Sequence, residues 1–154
     1  MIYVDEMLGT LAKWMVILGK NVKYIKGFKD DEIIKLLRPS DILITADSEL
    51  CNRVRKFANC LFISEREKLD YNLAYVFTLL KEKPSLTPKF CPVCGGKLNK
   101  VRKKDIKDKV PKMAYVHHRD FYMCKGCGKI YWKGSHWKRI RSFYKRILRL
   151  MKRF

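Results

Sequence analysis

The sequence predicts an α/β unit with a parallel sheet flanked by helices, followed by a small cysteine-stapled ribbon and a basic C-terminal helix. Three observations carry this reading. Short β-branched runs alternate with helical periodicity over the first 83 residues, two CxxC pairs lie beyond a proline-bounded connector, and almost all of the net charge sits in the second half.

Ile2 to Val4 reads as a strand, and Met7 to Leu18 as a helix with Met7, Leu8, Leu11, Trp14, Met15 and Leu18 on one face and Gly19 at its C-terminal cap. Val22 to Ile25 is a second strand. A helix after Asp30 carries Ile33, Ile34, Leu36 and Leu37 and stops at Pro39, which has no backbone N–H to donate. Ile42 to Thr45 is a continuous apolar run, expected of a strand covered on both faces. Ser48 to Phe57, Leu61 to Ile63 and Leu69 to Leu80 complete a βαβαβαβα order.

Pro84 and Pro88 bracket a polar connector, which divides the chain into a unit over 1–84 and a ribbon over 85–137. From 138 to 154, Ile140, Phe143, Tyr144, Ile147, Met151 and Phe154 form an apolar stripe backed by Lys and Arg. Such a helix fits packing on the ribbon, contact with a polyanion, or contact with a membrane surface.

The 154 residues carry a net charge of +20. Residues 1–84 hold 14 Lys+Arg against 12 Asp+Glu, whereas 85–154 hold 21 against 3, so the halves stand at +2 and +18. A split this sharp points to a polyanionic partner for the second half, nucleic acid ahead of an acidic membrane. No apolar run is long enough to span a bilayer, and Met1-Ile2-Tyr3-Val4-Asp5 lacks the features of a signal peptide. The expected location is therefore cytoplasmic, where six cysteines suggest metal before disulfides.

Cys91-Pro-Val-Cys94 and Cys124-Lys-Gly-Cys127 are each followed by glycine, at 95 and 128. A CxxC turn lets two thiolates converge on one ion, and two such turns close a tetrahedral sphere, so the expected zinc is structural. The 29 residues between the pairs imply a ribbon with a long insertion. His117, His118 and His136 are less natural ligands, and Cys51 and Cys60 read as ordinary small core residues. Tyr131, Trp132 and Trp137 stand among Lys133, His136, Lys138, Arg139 and Arg141. Rings that stack on bases beside cations that meet phosphates are the combination used by single-strand binders.

In the first unit, Asp5 and Asp47 fall at the C-terminal ends of the first and third strands, where ligands of parallel sheets bind, and Asp30 and Asp31 are placed to join them. Such carboxylates suit Mg²⁺ or Mn²⁺. Asp5, Asp30 and Asp47 also stand at predicted helix N-termini, where aspartate is a favoured cap.

Asp5 with Met7-Leu8-Gly9, Leu11-Ala12, Trp14, Leu18-Gly19, Asp30-Asp31-Glu32 and Ile44-Thr45-Ala46-Asp47 resembles the Mut-seven-C RNase family, as do the two CxxC pairs, Val110-Pro111 and Tyr131-Trp-Lys-Gly-Ser-His-Trp137. The resemblance covers nearly the whole chain. It implies a PIN-like nuclease domain joined to a zinc ribbon, with Asp5, Asp30 or Asp31, and Asp47 holding the divalent metal for RNA hydrolysis. Thr45 would help to orient the attacking water. Ala46 departs from the family pattern, which has a basic residue between Thr and Asp. The alternative function is a non-catalytic RNA-binding or ribosome-associated protein on the same scaffold.

Overall fold

The computed structural model describes residues 1–154. Its elements follow the expected order: β1 (Ile2–Asp5), α1 (Gly9–Ile17), β2 (Lys23–Ile25), α2 (Asp30–Leu36), β3 (Ile42–Thr45), α3 (Ser48–Val54), β4 (Asn59–Phe62) and α4 (Leu69–Leu79). The four strands pair in parallel in the order β2-β1-β3-β4. A single 3-10 turn, Glu6–Leu8, joins β1 to α1, so the first helix is shorter than its apolar stripe.

Alternation along the strands sorts the core into two layers. Ile2, Val4 and Ile44 lie on one face with residues of α1 and α4, and Tyr3, Leu43 and Cys60 on the other with residues of α2 and α3. Central strands covered on both faces explain the unbroken apolar run of β3. Gly19 has φ +83°, and a Cβ there would meet Ser85 at 3.1 Å. The connector therefore presses on the end of α1, where Ser85 N–H donates to the Leu18 carbonyl.

Beyond the connector, β5 (Leu98–Val101), β6 (Phe121–Cys124) and β7 (Ile130–Trp132) form an antiparallel sheet. The long insertion between β5 and β6 holds a 3-10 turn, Lys103–Ile106, whose Ile106 is buried, and a short α5 (Lys112–His117).

The final helix, α6 (Trp137–Met151), uses its apolar stripe in a way that none of the three sequence readings named. It packs on the first unit. Ile147 is fully buried in the layer formed by α1 and α4, the Phe143 ring lies 4.4 Å from that of Trp14, and the Arg146 guanidinium meets Asp70 at 2.8 Å. Ile147→Ala is expected to cost about 2–5 kcal/mol in urea unfolding, the range for emptying a buried aliphatic site. A change below about 0.5 kcal/mol, as at an exposed position, would mean that the helix is undocked in solution. No helix is long and apolar enough to cross a membrane.

Cys51 and Cys60 correct the sequence reading, because they form a disulfide. The tight turn after α3 brings the helix beside β4 and places their Cα atoms 5.6 Å apart, within bonding reach. No spacing rule for CxxC pairs signals such a link. Closing so short a loop restricts the unfolded chain by roughly 2–3 kcal/mol. Reduction with a phosphine in excess zinc should lower the melting temperature by about 5–10 °C. An unchanged melting temperature would remove the disulfide from the account of stability.

Candidate functional site

Two groups of side chains carry chemistry. The first lies at the C-terminal edge of the parallel sheet. With β1 flanked by β2 on one side and β3 on the other, the chain reverses its winding between β1 and β3, which opens a crevice there. Asp5 ends β1 and Thr45 ends β3, and both side chains face the α2–α3 side by strand alternation.

Asp5 is buried, and no Lys or Arg lies within salt-bridge distance of it. Its Oδ1 accepts the Glu6 N–H at 2.7 Å, and its Oδ2 accepts the Thr45 hydroxyl at 2.7 Å. Thr45 Oγ1 in turn accepts the Asp47 backbone N–H at 3.0 Å, so Thr45 joins the Asp5 carboxylate to the backbone at Asp47. Asp47 also caps α3, accepting the Leu50 N–H at 2.9 Å.

Asp30 and Asp31 are handled differently. Arg53 of α3 reaches across to both, at 3.5 Å from Asp30 and in direct contact with Asp31. The Asp31 hydrogen bond, with Asp30 and Glu49 adding to it, raises the guanidinium above its ordinary pKa. The cap expected at Asp30 falls one residue earlier: Lys29 is the N-cap, and its N–H is met at 2.7 Å by the Glu32 carboxylate. Thr45 therefore joins the Asp5 carboxylate to the Asp47 backbone, the Asp47 carboxylate turns to the Leu50 N–H, and Arg53 ties Asp30 and Asp31 to a cation of the chain itself. The structure does not gather the four carboxylates into one ligating set, because the set of three or more Cys, His, Asp or Glu ligand atoms that converges is that of the cysteines.

Sequence reading missed Arg53 and Glu6. Glu6 accepts the Gly27 N–H at 2.9 Å, and its carbonyl accepts the Tyr24 hydroxyl at 2.8 Å, which fixes the loop after β2 against the end of β1. Neither contact has a local signature, since both depend on how distant segments meet.

The second group is the cysteine cluster. The Sγ atoms of Cys91, Cys94, Cys124 and Cys127 all lie within 4.8 Å of one another, with Cys91 to Cys127 at 3.8 Å and Cys94 to Cys124 at 3.4 Å. Tetrahedral Zn–S bonds of ~2.3 Å require an S···S edge of about 3.8 Å, so the four thiolates fit zinc. Gly95 and Gly128 both take φ +73°, as the tight knuckles demand.

Two more glycines matter and were not singled out. Gly96 and Gly126 donate N–H to Cys94 and Cys124 sulfurs at 3.4 and 3.3 Å, and a Cβ on Gly96 would stand 2.7 Å from the Cys124 sulfur. Tyr131 contacts the Cys91 sulfur through its hydroxyl at 3.0 Å. Burial works to raise the Cys91 thiol, but the Tyr131 hydroxyl and the backbone N–H groups of Cys94 and Val93 outweigh it and bring the pKa to about 6. A thiol lowered in this way gives up its proton readily to a metal. The histidines stay outside the cluster.

The proposed nucleic-acid residues gather where β7 passes into α6. Tyr131 and Trp132 end β7, Lys133 and His136 lie exposed in the turn, and Trp137, Lys138, Arg139 and Arg141 open α6. Lys133 Nζ lies 4.9 Å from the Trp137 ring centroid.

No curated protein and no solved structure shows significant similarity to this chain. The family model described as Mut7-C RNAse domain matches residues 1–144, a span that takes in the crevice, the ribbon and most of α6. The chain therefore belongs to the Mut7-C RNase domain family, whose function is RNA-related.

Proposed function

We propose that the protein is a divalent-metal-dependent ribonuclease in which residues 1–84 cut RNA while the ribbon over 85–137 and the basic helix over 138–154 hold it. The observation that supports this most is Asp5, a buried carboxylate without a cation, at the end of a central strand and linked through Thr45 to the backbone N–H of Asp47. A buried charge is costly unless paired, and Mg²⁺ or Mn²⁺ bound through Asp5 and Asp47 would supply the missing positive charge.

When bound, the metal supplies an activated water and stabilises the departing oxygen. The chain's own groups hold the site in place: the Glu6 N–H and the Thr45 hydroxyl fix the Asp5 carboxylate, and the Leu50 N–H fixes that of Asp47. Asp30 or Asp31 can add a third carboxylate if Arg53 releases it. Tyr131, Trp132, Lys133, His136, Trp137, Lys138, Arg139 and Arg141 form the proposed RNA surface, and structural zinc on Cys91, Cys94, Cys124 and Cys127 shapes it. This assignment places the protein in the cytoplasm, with RNA, ribosomal RNA included, as its partner.

Cleavage of end-labelled single-stranded RNA in Mn²⁺, Mg²⁺ or EDTA tests the reading. Cutting in metal that stops in EDTA is the expected result. Tight binding with no cutting in either metal would make the protein a non-catalytic RNA-binding or ribosome-associated module.

A further inference from the structure

Between the end of α1, the ribbon and the start of α6 lies a cavity of about 430 Å³. This falls within the roughly 300–1,000 Å³ typical of sites for small organic groups. Ile17, Phe90 and Ile140 supply aliphatic and aromatic walls, and Trp132 and Trp137 add indole rings to the lining. Gly134 lets the turn pass close over Trp132, since a Cβ there would come within 3.1 Å of the indole nitrogen. The exposed His136 also lines the cavity.

The charge around the cavity narrows the choice of occupant. No acidic residue lines it. Lys133 stands over the Trp137 ring, and Lys138, Arg139 and Arg141 are exposed on the adjoining turns of α6. An occupant with a flat π face, polar edges and an attached negative charge would satisfy the walls, His136 and the rim together. A nucleotide has these features. Aromatic walls grip any base by stacking, and cations track the backbone that carries it.

We propose that this cavity receives one unstacked base of an RNA strand whose phosphates run along Lys133 and the first turns of α6. The inference rests on the RNA reading above and assigns it a particular pocket. The pocket is lined by residues of α1 as well as of the ribbon and α6, so base capture would fix the strand relative to the nuclease unit.

The test compares two fluorescent probes, a single-stranded oligouridylate and the same oligomer with abasic residues in its central positions, by anisotropy titration of the full chain. The intact protein should prefer the base-bearing strand by roughly 5- to 100-fold, the range for losing one stacked base. Ile140→Trp and Ile17→Trp each fill the cavity, from α6 and α1 in turn, and in either variant that retains zinc and its melting temperature the preference should collapse towards one. Equal affinity of the intact protein for both probes, or a preference that survives in a folded filled variant, overturns the pocket and leaves RNA binding standing. Failure of the intact protein to bind either probe overturns the RNA reading itself.

Discussion

Asp5→Asn is expected to lower metal-dependent RNA cleavage by roughly 10²- to 10⁴-fold, the rate equivalent of the several kcal/mol that a bound metal supplies. The substitution is chosen to separate charge from structure. Asparagine keeps an oxygen for the Glu6 N–H, and the Thr45 hydroxyl can rotate to accept the new amide. Asp47→Asn applies the same logic to α3, because asparagine caps a helix about as well as aspartate. If these acids are caps alone, both variants should melt and behave like the parent. If they hold metal, cleavage should collapse while RNA affinity measured without added Mg²⁺ or Mn²⁺ stays within about twofold, since the proposed phosphate contacts lie in the basic half. Full cleavage by the double Asn variant would sink the assigned site.

Removing zinc should have the largest effect on structure. The ribbon core consists of Cys91, Leu98 and Cys124, with Tyr122 and Tyr131 packed against them, and of the buried Phe121 and Ile106, a small group to order three strands without metal. Zinc contributes about 10–16 kcal/mol of apparent binding energy in small zinc modules, and that energy is folding energy. Cys124→Ser should therefore lose the metal, measured as zinc per chain, and abolish the near-ultraviolet signal of Trp132. Loss of the ribbon also frees the start of α6, so RNA affinity should fall along with it. One equivalent of zinc and an unchanged spectrum in that variant would show that the four-thiolate site is not what orders the ribbon.

The parts of the fold that were legible in the sequence are those whose signals are local. Ile42–Thr45 reads as a buried strand because its covering on both faces leaves an unbroken apolar run. The zinc knuckles read from Cys91, Cys94, Cys124 and Cys127 because each pair of ligands lies within one turn of chain. Helix ends were less accurate: Leu8 continues the apolar stripe of α1 but lies in the 3-10 turn before it, and Phe57 lies past the end of α3.

Features that depend on distant segments meeting were not legible. The periodicity around Ile147 announces an apolar face but not which surface covers it. Cys51 and Cys60 look like two small core residues until the α3–β4 turn sets them side by side. The candidate acids show the same boundary. Positions at the ends of β1 and β3 marked Asp5 and Asp47, while nothing near Asp30 and Asp31 in the sequence foretells that Arg53 will hold them.

The docking of α6 bears on how the protein is made. Synthesis delivers the chain from the N-terminus, and domains generally fold as they emerge. Here the layer built by α1 and α4 contains Ile147, so a nascent chain that has exposed only its first 84 residues still shows an open apolar seam over Trp14 and Leu73. That seam stays available to chaperones, or to another nascent chain, until α6 has cleared the ribosome. The first unit reaches its final packing only after the ribbon and α6 have been translated.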